Sequence, residues 1–230
     1  MRGSAPGDSH VARNRLWSRL TGAVAALDAP PPTPLMVVDL DAFDANAADL
    51  ARRAGGKPIR VASKSLRVPA LIERALAAPG FHGVLGYTLR EALWLEQQGI
   101  ADDIVIAYPT VDRAALTQLV GSPSAASRIT LMVDDVAQLD VVDSVRASHA
   151  VRVRVALDVD AGLRMGTQHV GPKRSPLHDT EDVLRLARHV TERAGFWGAL
   201  AEDDGREWSC TLRSCRGTRP FPANLCLDWR

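Results

Sequence analysis

The sequence predicts an α/β fold: a partial (β/α)8 TIM-like barrel of about five parallel strands with intervening helices and an irregular C-terminal tail. Three observations predict it. Strand-type segments alternate with segments of helical apolar period between residues 59 and 158; most of the strand segments are nearly continuous apolar runs, as in sheets covered on both faces; and they recur at roughly even spacing. A doubly wound sheet satisfies the same pattern and stays open on pattern alone.

Residues 1–10 are polar and small, and Val11 to Leu27 reads as a first helix with Leu16, Leu20, Val24 and Leu27 on one side. Pro30, Pro31, Pro32 and Pro34 forbid helix and lead into a short apolar strand, Leu35 to Asp39. Phe43, Ala47, Leu50 and Ala54 predict a helix with Asp41 at its cap and Gly55-Gly56 as its stop. A strand over Ile59 to Ser63 follows, then a helical stripe of Val68, Leu71, Ile72, Ala75 and Leu76, then a strand over Gly83 to Tyr87. The pattern continues with a helix at Leu89 to Gln98, a strand at Asp103 to Tyr108 and a helix over 111–120. It closes with a strand at Ile129 to Val133, a helix over 135–146, a strand at Val151 to Asp158 and a helix over roughly 180–194 capped by Thr180.

The period fails near residue 196. The last stretch holds all three cysteines and three of the five tryptophans, so composition changes with periodicity. An irregular native tail and a lost coding frame both explain that, and the lost frame is favoured because the two changes coincide. The expected domains are therefore 1–29, a polar segment and helix; 30–196, the partial barrel; and 197–230, the irregular tail.

The bulk numbers narrow the function. The chain of 230 residues is 46% apolar and 24% charged, enough for a real core, and Lys+Arg 28 against Asp+Glu 27 gives a net charge of +1. No global field draws it to nucleic acid. No stretch has the apolar length of a membrane span and the first 20 residues lack a signal core, so a cytoplasmic location is expected. Cys210, Cys215 and Cys226 do not make a disulfide framework or, with no histidine beside them, a structural zinc site. The six histidines show no His-Glu-x-x-His spacing, and no Gly-x-Ser-x-Gly elbow or Gly-Lys-Ser/Thr phosphate loop is present.

Lysine is rare here: only Lys57, Lys64 and Lys173 occur among the 28 basic residues. Arginine stays charged and is a poor nucleophile, whereas a lysine whose pKa burial lowers can attack a carbonyl carbon. Lys64, at the end of the run Ile59-Arg-Val-Ala-Ser63, is thus the candidate Schiff-base residue; a lysine snorkelling from a strand end is the plain alternative. In parallel α/β folds reactive groups gather at the carboxyl ends of strands, where Tyr87-Thr88, Tyr108, Asp134, Asp158 and Asp160 also fall. For Asp134, Asp160 and Tyr108 taken singly, capping, turn formation or packing explains the residue better. Arg164 lies in the glycine-bracketed stretch Asp158 to Gly166, where backbone can approach a ligand and a guanidinium can bind an anionic oxygen, or else be solvated.

The segments Pro34 to Asn46, Arg60-Val-Ala-Ser-Lys64, Ile106-Ala-Tyr-Pro109 and Asp160 to Gly166, in that order, resemble the alanine racemase-like amino-terminal barrel of fold-type III pyridoxal-phosphate enzymes. The resemblance covers about residues 30–196 and is nearest the amino acid deaminase/aldolase and D-threonine aldolase branch. It implies that Lys64 holds pyridoxal 5'-phosphate as a Schiff base, that Arg164 and Tyr108 contact the cofactor, and that the substrate is an amino acid, a small molecule. It implies a homodimer for full-length relatives. Gly162 to Arg164 is one residue tighter than in alanine racemases. Three further strands, glycine-rich phosphate loops and a β-domain are also implied. None is legible after residue 196, nor are the His and Cys that hold a metal in D-threonine aldolases, so no metal is carried over. The chain thus reads as a truncated deaminase/aldolase-like protein of doubtful activity. A non-catalytic pyridoxal-phosphate carrier and a fragment without function are the alternatives. The strand at 35–39 and its proline connector favour the two-domain enzymes over the carrier.

Overall fold

The computed structural model describes residues 6–29, 31–146, 151–160, 163–170 and 175–198. The chain divides into two units, Met1–Gly56 and Lys57–Arg230. The first holds α1 (Pro6–Ala25) and α2 (Leu40–Ala54). Asp39, two residues before the expected Asp41, caps α2: its Oδ1 accepts from the N–H groups of Asp41 (3.1 Å) and Ala42 (3.2 Å). Gly55 ends α2 in the left-handed region, φ 62°. The strand expected at 35–39 does not form; Leu35, Met36, Val37 and Val38 are exposed in irregular backbone. A strand needs a neighbour to pair with, and propensity alone does not supply one. Of the two features expected to separate a two-domain enzyme from a carrier, the strand is therefore absent and the proline connector is left.

The second unit carries the sheet. In chain order it runs β1 (Ile59–Ala62), α3 (Ser63–Leu66), α4 (Pro69–Leu76), β2 (Phe81–Gly86), α5 (Leu89–Gln97), β3 (Ile104–Ile106), α6 (Arg113–Val120) and α7 (Pro123–Arg128). It continues through β4 (Ile129–Val133), α8 (Val136–Arg146), β5 (Val153–Leu157), β6 (Leu163–Met165), β7 (Gln168–Val170), α9 (Thr180–Glu192) and β8 (Phe196–Gly198). Among the described residues β1-β2-β3-β4-β5-β8 form one six-stranded sheet, every neighbouring pair parallel. The five expected strands are present in sequential order, and β8 adds a sixth across the boundary placed at 196. Strands in sequential order with helical crossovers are the arrangement of a barrel wall, not of a sheet that reverses direction partway. The end of the glycine-bracketed stretch forms β6, which pairs antiparallel with β7 just beyond it.

Helices α5, α7, α8 and α9 pack on the strands. Val84, Ile104, Ile106 and Ile129 on the strands and Leu116, Leu119 and Leu139 on the helices are fully buried, which is why the strands read as nearly continuous apolar runs. The sequence reading missed α7, although Ser122 caps it through Ala125 N–H (3.2 Å) and Pro123 opens it. Asp179, not Thr180, caps α9, accepting from Asp182 N–H at 2.9 Å. No helix among the described residues is long and apolar enough to cross a membrane.

Asp112 caps α6 through Ala115 N–H (3.1 Å) and receives Arg90 Nε (2.5 Å) and Nη2 (3.0 Å) from α5. The Arg90 hydrogen bonds, then the helix N–H, hold its carboxyl below the ordinary 3.8. A folded value below the unfolded one gives stability that is present above 3.8 and lost as pH falls through the folded value. Thermal melts at stepped pH are expected to show a midpoint falling below pH 3.8, with a shallower fall in Asp112→Asn.

Candidate active site

Because the strands are parallel, their carboxyl ends share one rim. Lys64 lies two residues past β1, Tyr87 one past β2, Tyr108 two past β3, Asp134 one past β4, and Asp158 and Asp160 one and three past β5. Lys64 keeps its expected strand-end place but not the burial invoked for it. The chain turns into α3 at Ser63, so Ser63 is fully buried and Lys64, on the first turn of that short helix, is exposed.

Two contacts fix this turn against the next strand. Glu91, on the first turn of α5, accepts from Ser63 Oγ (2.8 Å) and from the Tyr87 backbone N–H (2.7 Å) through the same Oε2. Ser63 Oγ also lies 3.4 Å from Leu85 O. Thr88 caps α5 through Glu91 N–H at 3.2 Å. A single carboxylate therefore latches the residue before Lys64 to the residue that follows β2. Tyr87 meets Tyr108 edge to face, ring centroids 5.6 Å apart and planes at 89°, an attractive arrangement of ring quadrupoles. Arg67 places its guanidinium carbon 5.8 Å from the Tyr87 ring centre and donates from Nε to the Lys64 carbonyl at 3.2 Å. The first three strands thus bring Lys64, Arg67, Tyr87 and Tyr108 together through linked contacts.

The later strand ends differ. Asp134 and Gln138 bond reciprocally at the start of α8, the structural role the sequence favours for Asp134. The Asp160 carboxylate is buried, 3.3 Å from His178 Nδ1, and its N–H donates to Leu177 O at 2.9 Å. Ser175 Oγ donates to the Asp158 carbonyl at 2.5 Å. Arg164 stands mid-strand in β6 opposite His169; the cofactor contact expected of its guanidinium lies outside the described residues. Among the described residues no three His, Cys, Asp or Glu side chains converge as a metal site.

Glu91, Ser63 and Arg67 were not legible as site residues from sequence. Thr88-x-x-Glu91 has capping-box spacing and could have flagged Glu91 as structural, although its carboxylate reaches Tyr87 rather than the cap residue. Glu91→Ala removes the acceptor of two charge-assisted bonds and is expected to cost roughly 1.5–3 kcal/mol, read from chemical denaturation. Glu91→Gln, which retains one carbonyl acceptor, is expected to cost less.

Comparison with known proteins agrees with this architecture. Residues 38–198 match the family model described as alanine racemase, N-terminal domain. D-threonine aldolase from Filomicrobium marinum superposes with a TM-score of 0.58 and 25% identity over 73% of this chain and 43% of that one. Alanine racemase from E. faecalis superposes with a TM-score of 0.50 and 19% identity over 70% and 41%, a likeness of fold. The chain spans less than half the length of these two structures. No curated protein matches it. A family match over most of the chain, on a sheet whose parallel strands follow that family's barrel, settles the relationship: this chain belongs to the alanine racemase N-terminal domain family.

Proposed function

We propose that the chain is the barrel part of a pyridoxal-phosphate-dependent enzyme of the amino acid deaminase or D-threonine aldolase kind, with Lys64 as the amine that carries the cofactor. The observation that carries the reading is the position of Lys64: an exposed primary amine past the carboxyl end of the first sheet strand, on the rim where Tyr87 and Tyr108, past the ends of the next two strands, meet edge to face. The donor set suits the cofactor. Its aldehyde needs an accessible amine, which Lys64 offers, and its flat ring needs aromatic or apolar flanks, which Tyr87 and Tyr108 offer. Bound there, the cofactor would withdraw electrons from the α-carbon of an amino acid.

The chain's own residues have three parts in this. Lys64 would hold the cofactor through its amine and release it to an incoming amino group. Glu91, by holding Ser63 and Tyr87, fixes the direction from which Lys64 leaves the turn. Arg164 is proposed as a contact of the cofactor ring and Tyr108 as a wall of its site.

The test is to incubate the full chain with pyridoxal phosphate and record its visible absorbance, then add single amino acids and assay ammonia, 2-oxo acid and aldehyde. An imine band that amino acids displace with release of product supports the proposal. A band without product favours the non-catalytic carrier, and no band overturns both.

A further inference from the structure

We propose that Arg67 forms an oxyanion subsite on this rim, holding a carboxylate or phosphate group of a molecule joined to Lys64. The proposal rests on the reading of Lys64 as the cofactor amine and adds what that reading leaves open, namely which residue recognises the anionic end of the bound molecule.

Four observations carry it. Arg67 follows Lys64 by three residues as the C-cap of the short helix α3 and folds back so that its Nε bonds the Lys64 backbone carbonyl, which keeps a guanidinium on the turn that carries the amine. Second, it is the only non-glycine among the described residues with positive φ, at 40°. L-residues with a Cβ avoid that region, and a long side chain persists there when its surroundings hold it. Third, the guanidinium is aimed: Nε is spent on the Lys64 carbonyl and one face lies toward the Tyr87 ring, which leaves the fork of terminal nitrogens as its remaining donors. Fourth, no carboxylate pairs with it among the described residues, whereas Arg60 has Asp103, Arg90 has Asp112 and Arg128 has Glu96. One short exposed turn thus carries two basic side chains, and an anion bound there offsets their charge. A planar fork on the same turn as a reactive amine fits a carboxylate two bonds from an amino group, or a phosphate on an aldehyde ring, by bidentate hydrogen bonding.

The test uses the full chain, Arg67→Asn, which tolerates the left-handed backbone, and Arg67→Lys, which keeps charge without the fork. Each is titrated by absorbance with pyridoxal phosphate and with pyridoxal, then with alanine and with ethylamine as displacing amines. If Arg67 holds the substrate carboxylate, Arg67→Asn raises the alanine needed for displacement about tenfold or more while ethylamine is unchanged. If it holds the cofactor phosphate, the same variant weakens pyridoxal phosphate by a similar factor while pyridoxal is unchanged. Arg67→Lys falls between wild type and Asn in either case. Unaltered preference in both pairs overturns the subsite. Should wild type form no band with either aldehyde, the Lys64 reading fails and Arg67 is judged separately by the side-chain Nε–H resonance of Arg67 under acetate and inorganic phosphate. A shift then supports an anion site, and none overturns it.

Discussion

Lys64→Ala abolishes the visible imine band that the wild-type chain is expected to form with pyridoxal phosphate, and Lys64→Arg abolishes it equally, because a guanidinium keeps its charge and does not attack an aldehyde. The loss should be complete and not graded, since the band reports a covalent bond to one nitrogen. Both variants should otherwise behave as wild type. Lys64 is exposed and makes none of the hydrogen bonds that fix its turn through a side chain; Ser63, Glu91 and Arg67 make those. Surface substitutions of this kind shift stability within about 0.5 kcal/mol. Circular dichroism and thermal melts that match wild type, beside an absent band, separate loss of chemistry from loss of fold. Lys57→Ala should leave the band unchanged, because Lys57 lies at the amino end of β1, the opposite end of the strand from Lys64.

Gly83→Ala is expected to be the most destabilising small substitution in the sheet. Gly83 has φ 71°, and a Cβ there would lie 2.6 Å from the Asp103 carbonyl oxygen and 2.4 Å from Arg60 Nη1. The register explains the crowding. Ile59 pairs with Phe81 but Val61 with Val84, so β2 carries one extra residue opposite Arg60, a bulge inside a parallel pair. Through the space this opens, Arg60 reaches Asp103 at 2.6 Å, and Arg154 meets the same carboxylate at 3.3 Å from β5. The Arg60 side chain can move, but the Asp103 carbonyl cannot: it belongs to backbone and accepts from Val84 N–H at 2.9 Å. Backbone strain of about 1–3 kcal/mol and a comparable packing cost add to a loss of roughly 2–5 kcal/mol, measured by chemical denaturation.

Much of the barrel wall was legible because its strands obey a simple rule. Ile104 to Ile106 is buried throughout and reads as an unbroken apolar run, and Ile129 to Val133 is nearly so, broken only by Thr130. Leu35 to Val38 is likewise an apolar run and forms no strand, because composition states a preference and only a neighbouring strand can realise it. Phe196 to Gly198 was lost for the reverse reason: three residues are too few to show a period, and their pairing with Val153 to Val155 is what makes them a strand. Caps slipped by one or two positions where two adjacent side chains could each serve, as with Asp39 for Asp41 and Asp179 for Thr180. At the site, Lys64 stood out by its rarity and its strand-end place. Glu91 and Arg67 could not, since both depend on contacts across 28 residues or on one unusual backbone angle, and neither is written in local spacing.

The most direct test of Lys64 as the cofactor amine is to reduce the chain with borohydride in the presence of pyridoxal phosphate, digest it and map the modified lysine by mass spectrometry. The account predicts the phosphopyridoxyl mass on the peptide containing Lys64, with stoichiometry lost when an amino acid is added before reduction. The same mass on Lys57 or Lys173, or spread evenly over all three lysines, contradicts it.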